Sequence, residues 1–303
     1  MALLHPQLEA FLAVIEEGSF DRAAKRLCIT PSALSQRIKG LEDRLGAVLV
    51  KRGVPSVATE AGEKLLRHAQ SMRLLEAETL TDFRPGEGEE TARLTILVNN
   101  DSLATWLPEG LADFASETKG ERVSIELLTD DQDRALESLR NGTAIAVVTS
   151  EAHPVSGARA TPLGAMRYIA VTSPALAASL GSVGFETSLQ SAPVIFYDRK
   201  DTLQDRFLAS FGIGPEVFTG LVHYAPSPTA MIDLAARGLG WCMAPESLAQ
   251  PWIDRGQVVA LAPEHAIDVP LYWQSSAIRS ALLTRLGAVI RKTAAMRLRP
   301  LAE

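Results

Sequence analysis

The sequence predicts an α/β protein in two unequal parts: a small basic helical head at the N-terminus, a long helix, and a larger acidic body of alternating strands and helices. Three observations carry this. At 303 residues the chain is roughly twice the ~150-residue prior for one domain, and its 47% hydrophobic and 22% charged residues are the mix of a chain that buries a core. The charge is segregated. Arg22, Lys25, Arg26, Arg37, Lys39, Arg44, Lys51 and Arg52 face only Glu42 and Asp43 in that stretch, a local +6 in a chain whose total is −6, so the remainder stands at −12. Finally, a helical repeat governs the first eighty residues, whereas short apolar runs alternate with helical stretches from Arg93 onward.

The same reading excludes several classes. No apolar run approaches the ~18 residues needed to cross a bilayer, and MALLHPQLEAFLAVIEEGSF carries acids without the basic start of a signal peptide, so a cytoplasmic location is expected. Two cysteines, Cys28 and Cys242, make no disulfide framework, and five histidines (His5, His68, His153, His223, His265) lack metal-ligand spacing; no cofactor is expected. Both cysteines are expected as buried reduced thiols, and Trp106, Trp241 and Trp273 as core. Phosphate-loop, dinucleotide, nucleophile-elbow and zincin motifs are absent, and the adjacent Asp130 and Asp131 read as a helix cap and its neighbour, so no enzyme is expected.

In the head, Leu8, Phe11, Leu12 and Ile15 give a helix over 6–17 stopped by Gly18. Ser19 caps a second helix, 20–27, with Phe20, Ala23, Ala24 and Leu27 inward. After a short turn, Thr30 caps a third helix to about Leu45, with Pro31 at its first position and Ala33, Leu34, Ile38, Leu41 and Leu45 inward. This is helix-turn-helix spacing. Ser32, Ser35, Gln36, Arg37 and Lys39 lie on the open side, where small residues admit the backbone to a major groove and Gln or Arg reaches base edges. Beyond Gly46, Val48–Val50 and Ser56–Ala58 flank a turn, a two-stranded wing that brings Lys51 and Arg52 to phosphates.

AAKRLCITPSALSQRIKGLEDRLGAVLVKR followed by TEAGEKLL resembles the winged helix-turn-helix of LysR-type transcriptional regulators, densely over residues 6–66. The resemblance implies a DNA-binding head at 1–59, a linker helix at 60–83, a hinge at 84–92 and an effector-binding part at 93–303. Independently, Leu65, Ala69, Met72, Leu75 and Leu80 form a stripe that fits either a core face or a dimer seam; after a DNA-binding head the seam is favoured. A dimer at least is expected, because specific sites are built from two half-sites, and tetramers are common in that family.

From Arg93 the expected order is strand 94–98, helix 102–115, strand 123–128, helix 132–139 and strand 144–148, a mainly parallel β-α-β-α-β unit. A second unit from Tyr168 to Leu261 has apolar runs at 168–171, 194–197 and 241–244, and a strand at 269–273 with a helix at 279–297 returns to the first. Two such lobes, 93–165 with 265–303 and 166–264, resemble the type 2 periplasmic-binding-protein-like domain of the same family, with a ligand cleft at the strand ends. Asp101, Ser102 and Thr105 after the first strand, Asp130 and Asp131 after the second, Thr149 after the third and Asp198 in the second lobe are the candidate ligand contacts; equally, several are good helix caps. Amides and hydroxyls suit a carboxylate, and the acids suit an ammonium or guanidinium group.

SALSQRIKGLE, DSLATW, GLGWCMAPE and VPLYWQ together are similar to the ArgP/LysG branch, which responds to lysine and arginine and controls genes of amino-acid export or metabolism. The resemblance implies a lysine or arginine effector, promoter binding, contact with RNA polymerase, and no membrane partner. Three departures touch the ligand reading, and the last two leave one or two carboxylates fewer: Asn99-Asn100-Asp101-Ser102 for Asn-Ala-Asp-Ser, Thr129-Asp130 for Glu-Asp, and Ser-Pro-Thr-Ala at 227–230 where an acid is common. Each missing charge-assisted hydrogen bond is worth roughly 1 to 3 kcal/mol if buried. The alternatives are an effector of another kind and an architectural DNA-binding protein.

Overall fold

The computed structural model describes residues 4–83, 91–129, 132–180, 184–301. The head packs α1 (Pro6–Glu17), α2 (Phe20–Arg26) and α3 (Pro31–Leu45) around Phe11, Leu34 and Ile38, all fully buried. The expected caps operate: Ser19 Oγ accepts from Arg22 N–H at 3.4 Å, Thr30 Oγ1 accepts from Ala33 N–H at 3.1 Å, and Gly18 and Gly46 end their helices at positive φ. Leu45, expected inward, is 53% exposed because the helix ends there and its face has left the core. The wing is shorter than expected: β1 (Val50–Lys51) pairs antiparallel with β2 (Val57–Ala58).

A single helix, α4 (Glu60–Phe83), leaves the wing. Gly62 is required at its start, where a Cβ would lie 2.1 Å from the Leu49 carbonyl oxygen. Of the expected stripe Ala69 is buried, Leu65 and Leu80 are half-buried, and Met72 and Leu75 are exposed; the residues that reach the body lie off it. Ala69, with Leu66, belongs to the head core; Leu74 and Ala77 join the core of the body; Met72, Leu75 and Phe83 remain exposed. The segment 84–90 of the expected hinge lies outside the described residues, and Ala92 already opens a strand.

The body contains β3 (Ala92–Val98), α5 (Asn100–Ala104), α6 (Leu107–Glu117), β4 (Val123–Thr129), α7 (Gln132–Asn141), β5 (Ala146–Thr149), β6 (Ala158–Thr172), α8 (Pro174–Leu180), α9 (Phe185–Leu189), β7 (Val194–Phe196), α10 (Leu203–Ala209), β8 (Val222–Tyr224), α11 (Pro228–Ala236), β9 (Trp241–Pro245), α12 (Glu246–Asp254), β10 (Val259–Leu261), β11 (Ile267–Ser276) and α13 (Ala281–Arg297). They form one sheet in the order β4-β3-β5-β11-β6-β9-β7-β8, with β10 also on β6. β3 pairs in parallel with β4 and β5, and β7 with β8 and β9, so each lobe has its own parallel unit. The two antiparallel strands β6 and β11 carry the chain between them. β6 pairs with β11 from Ala158↔Ser276 to Tyr168↔Ile267 and continues against β9 and β10, so the boundary expected at 165/166 falls inside a continuous strand.

The helix expected over 102–115 is two helices. Thr105 leaves the helical region at φ −122° and ψ −91°, and Pro108 restarts the turn in the first positions of α6. The tryptophans are core as expected: Trp106, Trp241 and Trp273 are buried. Cys242 is buried and its thiol is pushed well up by that burial, but Cys28 is exposed. The turn between α2 and α3 puts Cys28 at φ +53°, outside the head core.

Candidate functional site

Two surfaces hold the residues that the sequence singles out. On the head, α3 buries Leu34, Ile38 and Leu41, and this fixes the opposite side as its solvent face. Thr30, Pro31, Ser32, Gln36 and Lys39 are exposed there and Ser35 and Arg37 half-buried, so the N-terminal turns present small polar groups, one amide and two cations. Lys51 and Arg52 are exposed on the wing, and the Arg52 guanidinium is held 4.6 Å above the centre of the Phe20 ring. Helix face and wing together give a positive, protruding surface that can enter a groove while its edge meets phosphates.

In the body a cleft of about 750 Å³ opens between the lobes. Asn99, Asn100, Asp101 and Thr129 line it from the first lobe; Tyr197, Asp198, Lys200, Asp201, Leu203, Pro228, Met231 and Met243 from the second; Tyr168 stands on β6 between them. Parallel strand ends create it: β3 and β4 end at Val98 and Thr129, and β7 ends just before Tyr197.

Asp101 is its central charge. Burial raises the Asp101 carboxyl to about 6, against the lowering effect of the Tyr168 hydroxyl, which donates to Oδ2 at 2.6 Å; the nearby Asp201 carboxylate raises it further. Burial and then the Asp101 charge push the Tyr168 hydroxyl well up, so it stays a donor. On the facing wall Asp198 Oδ1 accepts from the Lys200 and Asp201 N–H groups at 2.7 and 3.0 Å, and Asp201 accepts from the Tyr197 and Leu203 N–H groups at 2.9 and 3.0 Å. Asn99 Oδ1 is buried with no hydrogen-bond partner among the described residues. The cavity thus gathers three carboxyls and one cation, Lys200, a net negative lining that suits a cationic ligand.

Of the sequence candidates, Asp101 and Asp198 reach this cleft. Ser102 does not: it is fully buried, and its Oγ accepts from Trp106 Nε1 at 3.1 Å. Thr105 turns toward a separate cavity of about 320 Å³ and donates to the Asp101 carbonyl at 2.6 Å. Thr149 lines a small hollow of about 100 Å³ that shares only Asn99 with the main cleft. Two causes act: Ser102 sits a helical step round from Asp101 and faces the core, and Thr105 lies past the end of α5, where the backbone leaves the helix and turns it to a different cavity. Asp130 and Asp131 lie outside the described residues. Tyr168, Tyr197 and Asp201 were missed; the available signal was Tyr-Asp at 197–198 directly after an apolar run. Among the described residues no group of three His, Cys, Asp or Glu side chains has metal-binding geometry, and no helix is long and apolar enough to cross a membrane.

The winged head, long helix and two-lobed cleft define a DNA-binding transcription regulator with a ligand-binding body. Residues 5–63 match the bacterial regulatory helix-turn-helix protein, lysR family, and residues 87–295 match the LysR substrate binding domain. The chain belongs to the LysR family, whose members are regulators and not enzymes. It is 40% identical over 293 residues to the HTH-type transcriptional regulator LysG of Mycobacterium bovis (95% of this chain, 93% of that one). It is 40% identical over 294 residues to the lysine export transcriptional regulatory protein LysG of Corynebacterium glutamicum (97% and 99%). Among solved structures, ArgP from Mycobacterium tuberculosis superposes with a TM-score of 0.84 at 39% identity over 99% of this chain and 100% of that one. Full-length LysG from Corynebacterium glutamicum with bound effector Arg gives 0.77 at 37% identity over 98% and 100%.

Proposed function

We propose that this regulator is a cytoplasmic sensor of a basic amino acid, L-arginine or L-lysine, that binds the ligand in the interlobe cleft and controls genes of amino-acid export or metabolism. The observation that carries the reading is the placing of Asp101 on one wall of the cleft and of Asp198 and Asp201 on the other. A guanidinium or ammonium group between these walls pairs with the Asp101 carboxylate and offsets the cost of its burial. The Arg-bound relative and the lysine-export name of another support the same class.

Thr30, Pro31, Ser32, Ser35, Gln36, Arg37 and Lys39 are assigned to the major groove and its phosphates, and Lys51 and Arg52 to the flanking backbone. One head reads only a few base pairs, so a homodimer or homotetramer is assigned, supported by Met72, Leu75 and Phe83 exposed along α4. Contact with RNA polymerase then follows from occupying a promoter. Ligand matters only if it prefers one arrangement of lobes and heads over another.

The test is a thermal-shift and calorimetric screen against the twenty amino acids, followed by duplex binding with and without the ligand found. Stabilisation restricted to arginine and lysine is the expected result. Stabilisation by neither, with a response to another metabolite, would overturn the ligand assignment while leaving the regulator class intact.

A further inference from the structure

One hydrogen bond joins the walls of the cleft directly. Asn100, on α5 in the first lobe, donates through Nδ2 to the Tyr197 hydroxyl oxygen of the second lobe. The two residues are 97 apart in sequence and are otherwise connected through the long strands β6 and β11. Tyr197 is not a loose end. Its own N–H is held by Asp201, whose other oxygen accepts from Leu203 N–H at the start of α10, while Asp198 ties Lys200 and Asp201 into the same turn. A pull on the Tyr197 ring is therefore transmitted to the second lobe as a body. On the other side, Asn100 immediately precedes Asp101, whose carboxylate is fixed to Tyr168 on β6.

The strut matters because of what it opposes. Carboxyls stand on both walls, Asp101 on one and Asp198 and Asp201 on the other, and like charges facing across a cleft favour separation. Lys200 of the second wall lines the same cleft and offsets part of this repulsion, and a direct contact between the walls adds to closure.

We propose that Asn100 and Tyr197 are positioning residues for the ligand: a cross-cleft strut that holds the lobes at the spacing a basic amino acid occupies, so that affinity depends on a pair that need not touch the ligand. This rests on the cleft being the site for a basic amino acid. The strut raises the population of the competent, closed arrangement before ligand arrives, and the apparent dissociation constant scales inversely with that population.

A double-mutant cycle tests it. Full-length wild type, Asn100→Ala, Tyr197→Phe and the double variant are titrated calorimetrically with L-arginine and L-lysine, after circular dichroism has shown that each is folded. Tyr197→Phe keeps the ring and its packing and guards against a folding artefact in the alanine variant. A single neutral hydrogen bond predicts a loss of about 2- to 10-fold in affinity for each single variant. The double variant should lose no more than either one, because the second substitution removes a bond already broken. Small-angle scattering of the ligand-free proteins should show the same expansion in all three variants. Losses that multiply, or unchanged or tighter binding in the single variants, would overturn the strut while leaving the cleft assignment standing. Absence of arginine and lysine binding by the wild type would instead overturn the cleft assignment and the strut with it.

Discussion

Replacing Asp101 by Asn should make the protein more stable and a worse sensor at the same time. Burial, helped by Asp201, lifts the Asp101 carboxyl from 3.8 to about 6 despite the Tyr168 hydrogen bond. The native state therefore holds its proton more tightly than the unfolded chain, and stability falls as pH rises from about 4 to about 6. A lift of about two pK units corresponds to about 3 kcal/mol, present in full above pH 6 and absent below pH 4. Asn has the same shape, can still accept from the Tyr168 hydroxyl, and carries no charge, so the variant escapes this cost. Urea unfolding between pH 4 and 8, followed by tryptophan fluorescence, is a suitable assay, since all four tryptophans lie beyond the head. The variant minus wild-type difference should be near zero at pH 4 and grow to as much as about 3 kcal/mol in favour of Asn at pH 7.5. Arginine affinity should move the other way, falling about 10-fold or more as a charge-assisted contact disappears. Wild-type affinity should itself weaken below pH 6, where ligand must displace the proton. Parallel stability curves for the two proteins, or an Asn variant less stable at pH 7.5, would refute the electrostatic account of the cleft.

Other expectations concern the head. Gln36→Ala should relax sequence choice at one position of the DNA site, by roughly 1 to 3 kcal/mol of discrimination. Arg52→Ala should instead weaken all duplexes alike and lower the slope of log affinity against log salt by about one; fluorescence anisotropy over a salt series separates the two outcomes. Maleimide labelling of the folded protein should modify one cysteine, Cys28, with Cys242 reacting only after denaturation. Gly62→Ala should cost about 3 kcal/mol, because the added Cβ would meet the Leu49 backbone oxygen at 2.1 Å, and should appear as earlier proteolysis of the head.

The head was readable from the sequence because its signals are local. Ser19, Thr30 and Pro31 start helices, Gly18 and Gly46 end them, and the apolar repeat between these marks leaves one solvent face for α3. The cleft was half readable. Strand ends announce themselves in the alternation, so Asp101 and Asp198 were found, but alternation does not say which residue beyond a strand end turns toward the other lobe. Ser102 and Thr149 turned inward, Tyr168 entered from a strand paired with one about a hundred residues away, and Tyr197 meets Asn100 across 97 residues of sequence. The stripe on α4 shows the same limit. Periodicity identified an apolar face, yet of its residues Ala69 serves the head and Met72 and Leu75 neither core, while Leu74 and Ala77, which reach the body, lie off it, because a repeat carries no record of what lies opposite it.

That division of α4 bears on how a ligand in the cleft could be felt at the DNA. Leu66 and Ala69 are part of the head core, and one and two turns later Leu74 and Ala77 are part of the core that includes β3, the strand ending at the cleft. Polar contacts reinforce both attachments. Glu16 of α1 forms ion pairs with Arg73 of α4 at 2.6 Å and with Arg26 of α2 at 2.7 Å, while Glu78 of α4 accepts from the Leu282 N–H at 2.9 Å at the start of α13. A rigid helix seated in two cores cannot adjust to one without disturbing the other. Head and first lobe are therefore tied together through α4, and the second lobe is joined to the first through β6, β11 and the same apolar core. In the assembly proposed above, lobe closure on the proposed cation would change the surface that the second lobe offers to a neighbouring subunit before it changed anything inside the head. Coupling to DNA would then run through that assembly: ligand would alter how subunits pack, and the packing would set the separation of two heads that are each fixed to their own first lobe.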